Sequence, residues 1–188
     1  MKSFSVTTKV FNQDCRLELM SFDEADRQAW KVLFDSWKKL KLGMREYKAR
    51  EPNFPEGLSE VAYCLWSGSH RFIKAQNLSN TSFDTFNSSS RIAEQIKATS
   101  VEDDLTSFGP RSRWDKLIFV DFYNEGRVDG RFTVYEIPSE IIYNYPVNSR
   151  QTFKDQQVQG RRPRLSLRKV IRENNISPIE SRVKVWRD

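Results

Sequence analysis

The chain has one histidine, His70, and two cysteines, Cys15 and Cys64, among 188 residues. A single histidine excludes a phosphodiesterase built on two catalytic histidines and any histidine-rich metal centre. The two cysteines make neither a disulfide framework nor a zinc pattern. No G-x-x-x-x-G-K-[ST] run occurs, so there is no P-loop, and no G-x-S-x-G run carries a nucleophilic serine. No apolar stretch is long enough to span a bilayer. The opening, Met-Lys-Ser-Phe-Ser-Val-Thr-Thr-Lys, lacks the apolar centre of a signal peptide, and a cytoplasmic protein is expected. Any catalysis here must run on carboxylates, lysine and a bound hard cation.

Aromatic residues are plentiful: 13 Phe, 6 Tyr and 5 Trp, within a hydrophobic share of 38%. That is enough for a folded core. The length suits one domain. A formal charge of +6 favours a polyanionic partner, most often nucleic acid.

Residues 82 to 99 organise the reading. Phe83 and Phe86 flank Asp84, Asn87 to Ser90 is a turn cluster, and Arg91 to Thr99 reads as a strand. Side chains two apart on a strand share a face, so Gln95 and Lys97 point one way and Glu94 the other. A turn centred between Ser89 and Ser90 sets Asp84 opposite Gln95. A turn centred between Ser88 and Ser89 sets it opposite Ala93, one diagonal step away. Either collects an acid, an amide oxygen and an ammonium at a strand end, a set able to hold a divalent cation and a water. The plain alternative is a pair of solvated hairpin residues.

Residues 1 to 20 fit a short hairpin or an irregular arm. A helix is expected from Ser21 to Leu42, with Ala29, Trp30, Leu33, Trp37 and Leu40 as its apolar stripe and Gly43 as its end. Lys38, Lys39 and Lys41 suit its C-terminal end or a phosphate. A second helix follows Asn53-Phe-Pro-Glu-Gly-Leu-Ser-Glu60 and runs to about Trp66, with Glu60 away from its apolar face. Asp115 to Tyr123 holds the unbroken run Leu117 to Val120 and reads as a central strand covered on both faces. Arg131 to Ile137 is its neighbour, and a short helix starts at Ser139. Arg111 and Arg113 sit in a polar loop, and Gln151 to Gln159 is rich in amides that can read adenine edges. Arg161-Arg162-Pro163-Arg164 opens a helix over Ser166 to Asn174 that also carries Lys169, a placement suited to phosphates or the major groove. Val183, Val185 and Trp186 fit an edge strand. Strands in the middle with helices before and after give an α/β fold, a central mixed sheet flanked by helices, as one domain over 1–188.

Four stretches taken together resemble a known family: Asn53-Phe-Pro-Glu-Gly-Leu-Ser-Glu60, Asp84 with Gln95-Ile-Lys97-Ala-Thr, Ser107-Phe-Gly-Pro-Arg-Ser-Arg-Trp-Asp115, and Gly160-Arg-Arg-Pro-Arg-Leu-Ser166. They are similar to small type II restriction endonucleases of the PD-(D/E)xK superfamily, in particular those cutting interrupted GC-rich sites of the GCNGC kind. The resemblance spans about Asn53 to Pro178. It implies a catalytic core over about 53–137 and DNA-recognition segments over about 107–113 and 144–174. Asp84 would be the acidic metal ligand, Gln95 would stand where the family usually has Asp or Glu, and Lys97 would orient or activate the attacking water. Glu60 would be the helix glutamate that completes the site. Two departures are visible: Phe83 replaces the proline before the acid, and Gln95 replaces a carboxylate. Glu94 would serve only under a different strand register. The resemblance further implies Mg²⁺, double-stranded DNA as substrate, base contacts from Arg161, Arg162 and Arg164 with Arg111 and Arg113 as second candidates, a homodimer on a palindromic site, and a companion DNA methyltransferase in a bacterial cytoplasm. Two other readings are a repair or junction nuclease on the same core and a basic DNA-binding protein without catalysis.

Overall fold

In the computed structural model, which describes residues 1–186, the chain opens on a hairpin. Strands β1 (Lys2–Val10) and β2 (Gln13–Ser21) pair antiparallel with Val10 opposite Gln13. Phe11 and Asn12 therefore form a two-residue turn, at φ of 52° and 66°. Positive φ at both central positions is what a tight hairpin of this twist requires.

Helix α1 (Glu24–Glu46) starts at Asp23, whose side chain and that of Asp26 form a reciprocal capping box. It runs through Gly43, where an end was expected. A mid-helix glycine costs only about 1 kcal/mol, and the last turn is anchored by Glu51, which pairs with Lys41 at 3.1 Å and Arg45 at 2.7 Å. The buried face is Trp30, Phe34, Trp37 and Lys41, while Leu33 and Leu40 of the expected stripe face outward. Lys41, 2% exposed, is withdrawn from any phosphate.

The remaining elements are α2 (Glu56–Ser67), β3 (His70–Gln76), β4 (Thr85–Asn87), β5 (Ile92–Thr99), β6 (Thr106–Ser107), β7 (Lys116–Asp121), β8 (Arg131–Ile137), α3 (Ser139–Asn144), β9 (Pro146–Asn148), β10 (Gln151–Thr152), α4 (Phe153–Val158), β11 (Arg164–Leu165), α5 (Leu167–Glu173) and β12 (Glu180–Lys184). Eight strands form one sheet in the order β1-β2-β3-β4-β5-β7-β8-β12. Its pairs are antiparallel except β5 with β7, which is parallel.

The apolar run of β7 divides between two cores. Ile118 and Val120 pack with Trp30, Phe34 and Trp37 of α1 and Ala62 and Leu65 of α2. Leu117 and Phe119 pack with Ile142 of α3, Phe153 of α4 and Leu167 and Val170 of α5. Helices thus cover both faces of the middle of the sheet. A third cluster joins the opening hairpin to the β4–β5 turn region through Leu17, Leu19, Phe83, Phe86 and Ala93.

The polar stretch 144–160 is less irregular than its composition suggests. It holds a small ribbon, β9 with β10, and α4, which starts at a capping box between Thr152 and Asp155. The basic run 161–164 is not helical. It leads into β11, which pairs with β6, and α5 begins only after Ser166, whose hydroxyl caps Lys169 N–H.

Candidate active site

Asp84 sits at the mouth of the β4–β5 hairpin. Its N–H donates to Glu94 O and its carbonyl accepts from Phe72 N–H, both at 2.9 Å, so its backbone is held between β3 and β5. Phe83 and Phe86 beside it are 2% and 1% exposed, which fixes the strand on the third core. Thr85 opposes Glu94 and Phe86 opposes Ala93. This register centres the turn between Ser89 and Ser90 and puts Asp84 across from Gln95. Asn87 Oδ1 holds the turn by accepting from the N–H groups of Ser89 and Ser90 at 3.2 and 3.0 Å.

One carboxylate oxygen of Asp84 accepts from Ile96 N–H at 2.8 Å and from the side-chain amide of buried Gln95. Burial raises the Asp84 carboxyl to about 7, with the negative charge of Glu60 adding to the rise. Lys97 and the Ile96 N–H act the other way. Lys97 lies over the ring of Phe108, 5.6 Å from its centroid.

Glu60 is half-buried. It binds Arg71 of β3 at 2.7 Å. Burial raises its carboxyl, while Arg71 first and Lys97 more weakly lower it. Glu94 faces the other side, as strand alternation requires. It is 4% exposed and accepts from Tyr63 Oη at 2.9 Å and Thr85 Oγ1 at 2.8 Å. Both its oxygens are committed, and Tyr63 titrates far above an ordinary phenol because of burial and this carboxylate.

The recognition candidates divide into those near the hairpin and those on other surfaces. The 109–113 loop is tied to the lead-in to Asp84: Asn80 Nδ2 donates to Arg111 O at 2.7 Å and Arg113 N–H to Ser82 Oγ at 2.8 Å. Arg111 and Arg113 have exposed side chains, and the Arg113 guanidinium lies 4.5 Å from the centroid of Phe11. The same loop is fixed to α4 through Gln157, whose amide donates to Gly109 O and Ser112 O. Phe108 N–H donates to Pro163 O at 3.0 Å, so β6–β11 carries exposed Arg164 on the segment that also supplies the ring under Lys97. Arg161 and Arg162 are exposed, and Arg161 reaches Gln151 in a cleft lined also by Asn148, Arg150 and Gln159. Lys169 pairs with Glu173 at 3.7 Å in a different cleft that holds Glu102, Asp103 and Asp121. Its neighbour Arg168 is spent on Asp121 and on the Tyr123 ring.

Sequence reading missed Arg71 and Phe108. Arg71 is one of two basic residues on its strand, and Phe108 is an isolated aromatic within the polar loop that also holds Arg111 and Arg113. Neither spacing states that one neutralises Glu60 or that the other floors Lys97.

Among the described residues no three or more His, Cys, Asp or Glu side chains stand close enough together to hold an ion. The donor chemistry nevertheless fits a hard cation that keeps most of its water. Asp84 and the Gln95 amide oxygen are hard donors, and Mg²⁺ is commonly held by one or two carboxylates, water and substrate phosphate.

The sequence profile of the Bsp6I restriction endonuclease family matches residues 22–174. The type II restriction enzyme Bsp6I of Bacillus sp. (strain RFL6) is 34% identical over 147 residues, covering 76% of this chain and 79% of that one. No solved structure matches. The matched segment contains Glu60, Asp84, Gln95 and Lys97 and every arginine named above, and on that coverage the chain belongs to the Bsp6I restriction endonuclease family.

Proposed function

We propose that this restriction endonuclease, a site-specific deoxyribonuclease by family, hydrolyses DNA phosphodiesters with Mg²⁺ on a PD-(D/E)xK-type core whose working residues are Asp84, Gln95, Lys97 and Glu60. The observation that carries the reading is the single face on which Asp84, its partner Gln95 and Lys97 meet. Asp84 and the Gln95 amide oxygen would hold the cation, with Glu60 behind them. When bound, Mg²⁺ supplies charge stabilisation at the scissile phosphate and lowers the pKa of water.

The chain's own residues do the rest. Asp84 must release its proton, which its position near pH 7 makes easy at physiological pH. The Gln95 amide must turn so that its oxygen, not its nitrogen, faces the site. A neutral amide in place of a second carboxylate keeps the affinity of the free protein for Mg²⁺ in the millimolar range, and DNA phosphate completes the binding. Lys97, held over Phe108, brings a positive charge to the attacked phosphate and orients the water. Arg111, Arg113, Arg161, Arg162 and Arg164 contact DNA. Lys169 joins them only by exchanging Glu173 for a phosphate. The target is a short G/C-rich palindrome, of the GCNGC kind, cut by a homodimer and protected in the host by a companion methyltransferase.

Digestion of unmethylated plasmid and phage DNA, with Mg²⁺ or with EDTA, tests this. The expected result is a set of discrete bands that needs Mg²⁺, with a G/C-rich two-fold sequence at the ends. Cutting confined to branched DNA, or a smear, would replace it with a structure-specific nuclease. Binding without cleavage in Mg²⁺ and Mn²⁺ would remove catalysis from Asp84 and Lys97 altogether.

A further inference from the structure

Helix α1 has two largely apolar faces, and only one of them is used within the chain. Trp30, Phe34 and Trp37 fill the core. About a third of the way round the helix lies a second stripe in which Val32, Leu33, Leu40 and Tyr47 are 58%, 53%, 56% and 84% exposed. Ala29, Ser36 and Gly43 lie between them at seven-residue spacing, the spacing that returns a residue to the same side of a helix. Lys39 borders the stripe on the side opposite Leu33, and no other Asp, Glu, Lys or Arg lies within it, although 30% of the chain is charged. At the centre of the stripe Ser36 needs no water as an acceptor, because its Oγ donates back to Val32 O at 2.9 Å.

Gly43 is a separate observation. A Cβ built there meets nothing within 4 Å, so nothing inside the chain requires glycine. A mid-helix glycine costs about 1 kcal/mol against alanine. A residue that is unfavourable and unneeded within one copy fits a helix that another backbone approaches closely.

We propose that this stripe is the seam of a homodimer, with α1 packed antiparallel against α1 of a second copy about a two-fold axis at Ser36. That axis sets Ser36 against Ser36, Ala29 against Gly43, Val32 against Leu40 and Ala25 against Tyr47. Small residues face small ones at the closest approach, Val32 meets Leu40, Leu33 meets the stem of Lys39, and Tyr47 faces the small Ala25. Charge selects the antiparallel sense. The start carries Asp23, Glu24 and Asp26 against Arg27, and the end carries Arg45, Lys48 and Arg50 against Glu46 and Glu51, so each copy's net-acidic start lies beside the other's mildly basic end. The helix dipoles run opposite ways as well. A two-fold seam of this kind is isologous. It deepens the homodimer of the proposed function, but its evidence comes from α1 alone.

The test reads association without DNA, so its outcome is independent of the catalytic reading. Both native cysteines are buried, so Ser36→Cys adds one accessible thiol. On the axis, that thiol meets its own copy within disulfide reach, and mild oxidation should convert most of the protein to a covalent dimer. Gln28→Cys is the control: an antiparallel pairing about Ser36 separates its two copies by about 24 Å, at 1.5 Å rise per residue, and no crosslink is expected. Light scattering at ~10 μM should give a dimer for the wild type and a monomer for Leu40→Glu, whose exposed position leaves the fold intact by circular dichroism. A monomeric wild type overturns the proposal. So does a dimer that survives Leu40→Glu, or one in which Ser36→Cys fails to crosslink. If Leu40→Glu is misfolded, the Ser36→Cys and Gln28→Cys comparison decides alone.

Discussion

As the proposed metal ligand, Asp84 would have to satisfy two opposed demands. Burial and the charge of Glu60 favour its neutral form, and cation binding needs the charged one. Its carboxyl stands at about 7 in the folded chain against an ordinary value near 3.8. A raised acid contributes stability that is full below the unfolded pKa and is lost as pH rises through the folded pKa. The cost of this residue therefore grows between about pH 4 and pH 7 and is complete at pH 8. Asp84→Asn keeps an oxygen for Ile96 N–H and offers its own amide to Gln95. The expected result is a gain on the order of 1–2 kcal/mol at pH 8, a few degrees in melting temperature, with little change at pH 4 and complete loss of cleavage. A melting temperature at pH 8 equal to or below that of the wild type would contradict the assignment. Gln95→Glu sets a second carboxylate across from Asp84 and should do the reverse. It should lower stability in EDTA and tighten Mg²⁺ binding to the free protein at least tenfold by titration calorimetry.

That much was legible from residue spacing. Strand parity and a turn cluster of known length confine Asp84, Gln95 and Lys97 to one face whichever turn centre holds, because the side-chain period is two. The ion pair of Glu60 with Arg71 was not legible, because it joins α2 to β3 across the fold and no local pattern encodes it.

Among the elements, the β6–β11 ribbon joins the proposed catalytic lysine to a proposed recognition arginine. Phe108 floors Lys97, and its N–H is bound to Pro163, one residue before Arg164. Arg164→Ala should weaken DNA binding and reduce by about one the slope of log affinity against log salt if it contacts phosphate. If it reads a guanine edge, the loss should be sequence-dependent and amount to about 1–3 kcal/mol. Fluorescence anisotropy across a salt series separates the two, and an unchanged affinity on every DNA would remove Arg164 from the interface. The elements also show where sequence reading faltered. The stripe assigned to α1 mixed its two apolar faces, since Trp30 and Trp37 go to the core while Leu33 and Leu40 go outward. Periodicity locates apolar faces but does not say which one the same chain covers. Helix α4 was passed over although Thr152 and Asp155 hold the spacing of a capping box, because the surrounding glutamines carry no apolar period.

Taken whole, the molecule is a sheet with helices on both faces, its acidic hairpin mouth next to exposed arginines. Its charge of +6 comes from 31 basic and 25 acidic residues. So mild an excess cannot bind DNA by charge alone; affinity must come from the local arginine grouping. Binding should thus fall steeply with salt, whereas cleavage chemistry on DNA already bound should not. Separating those two quantities gives the most direct test of the central claim, that Lys97 acts on the phosphate. We would measure single-turnover cleavage of a cognate duplex in Mg²⁺ and, in parallel, binding of the same duplex in EDTA, for the wild type and Lys97→Ala. The account predicts a cleavage rate at least about a hundredfold lower, the order expected for losing one transition-state donor, with DNA affinity changed by less than about fivefold. A variant that cuts at the wild-type rate, or that loses cleavage only in proportion to lost binding, would contradict it.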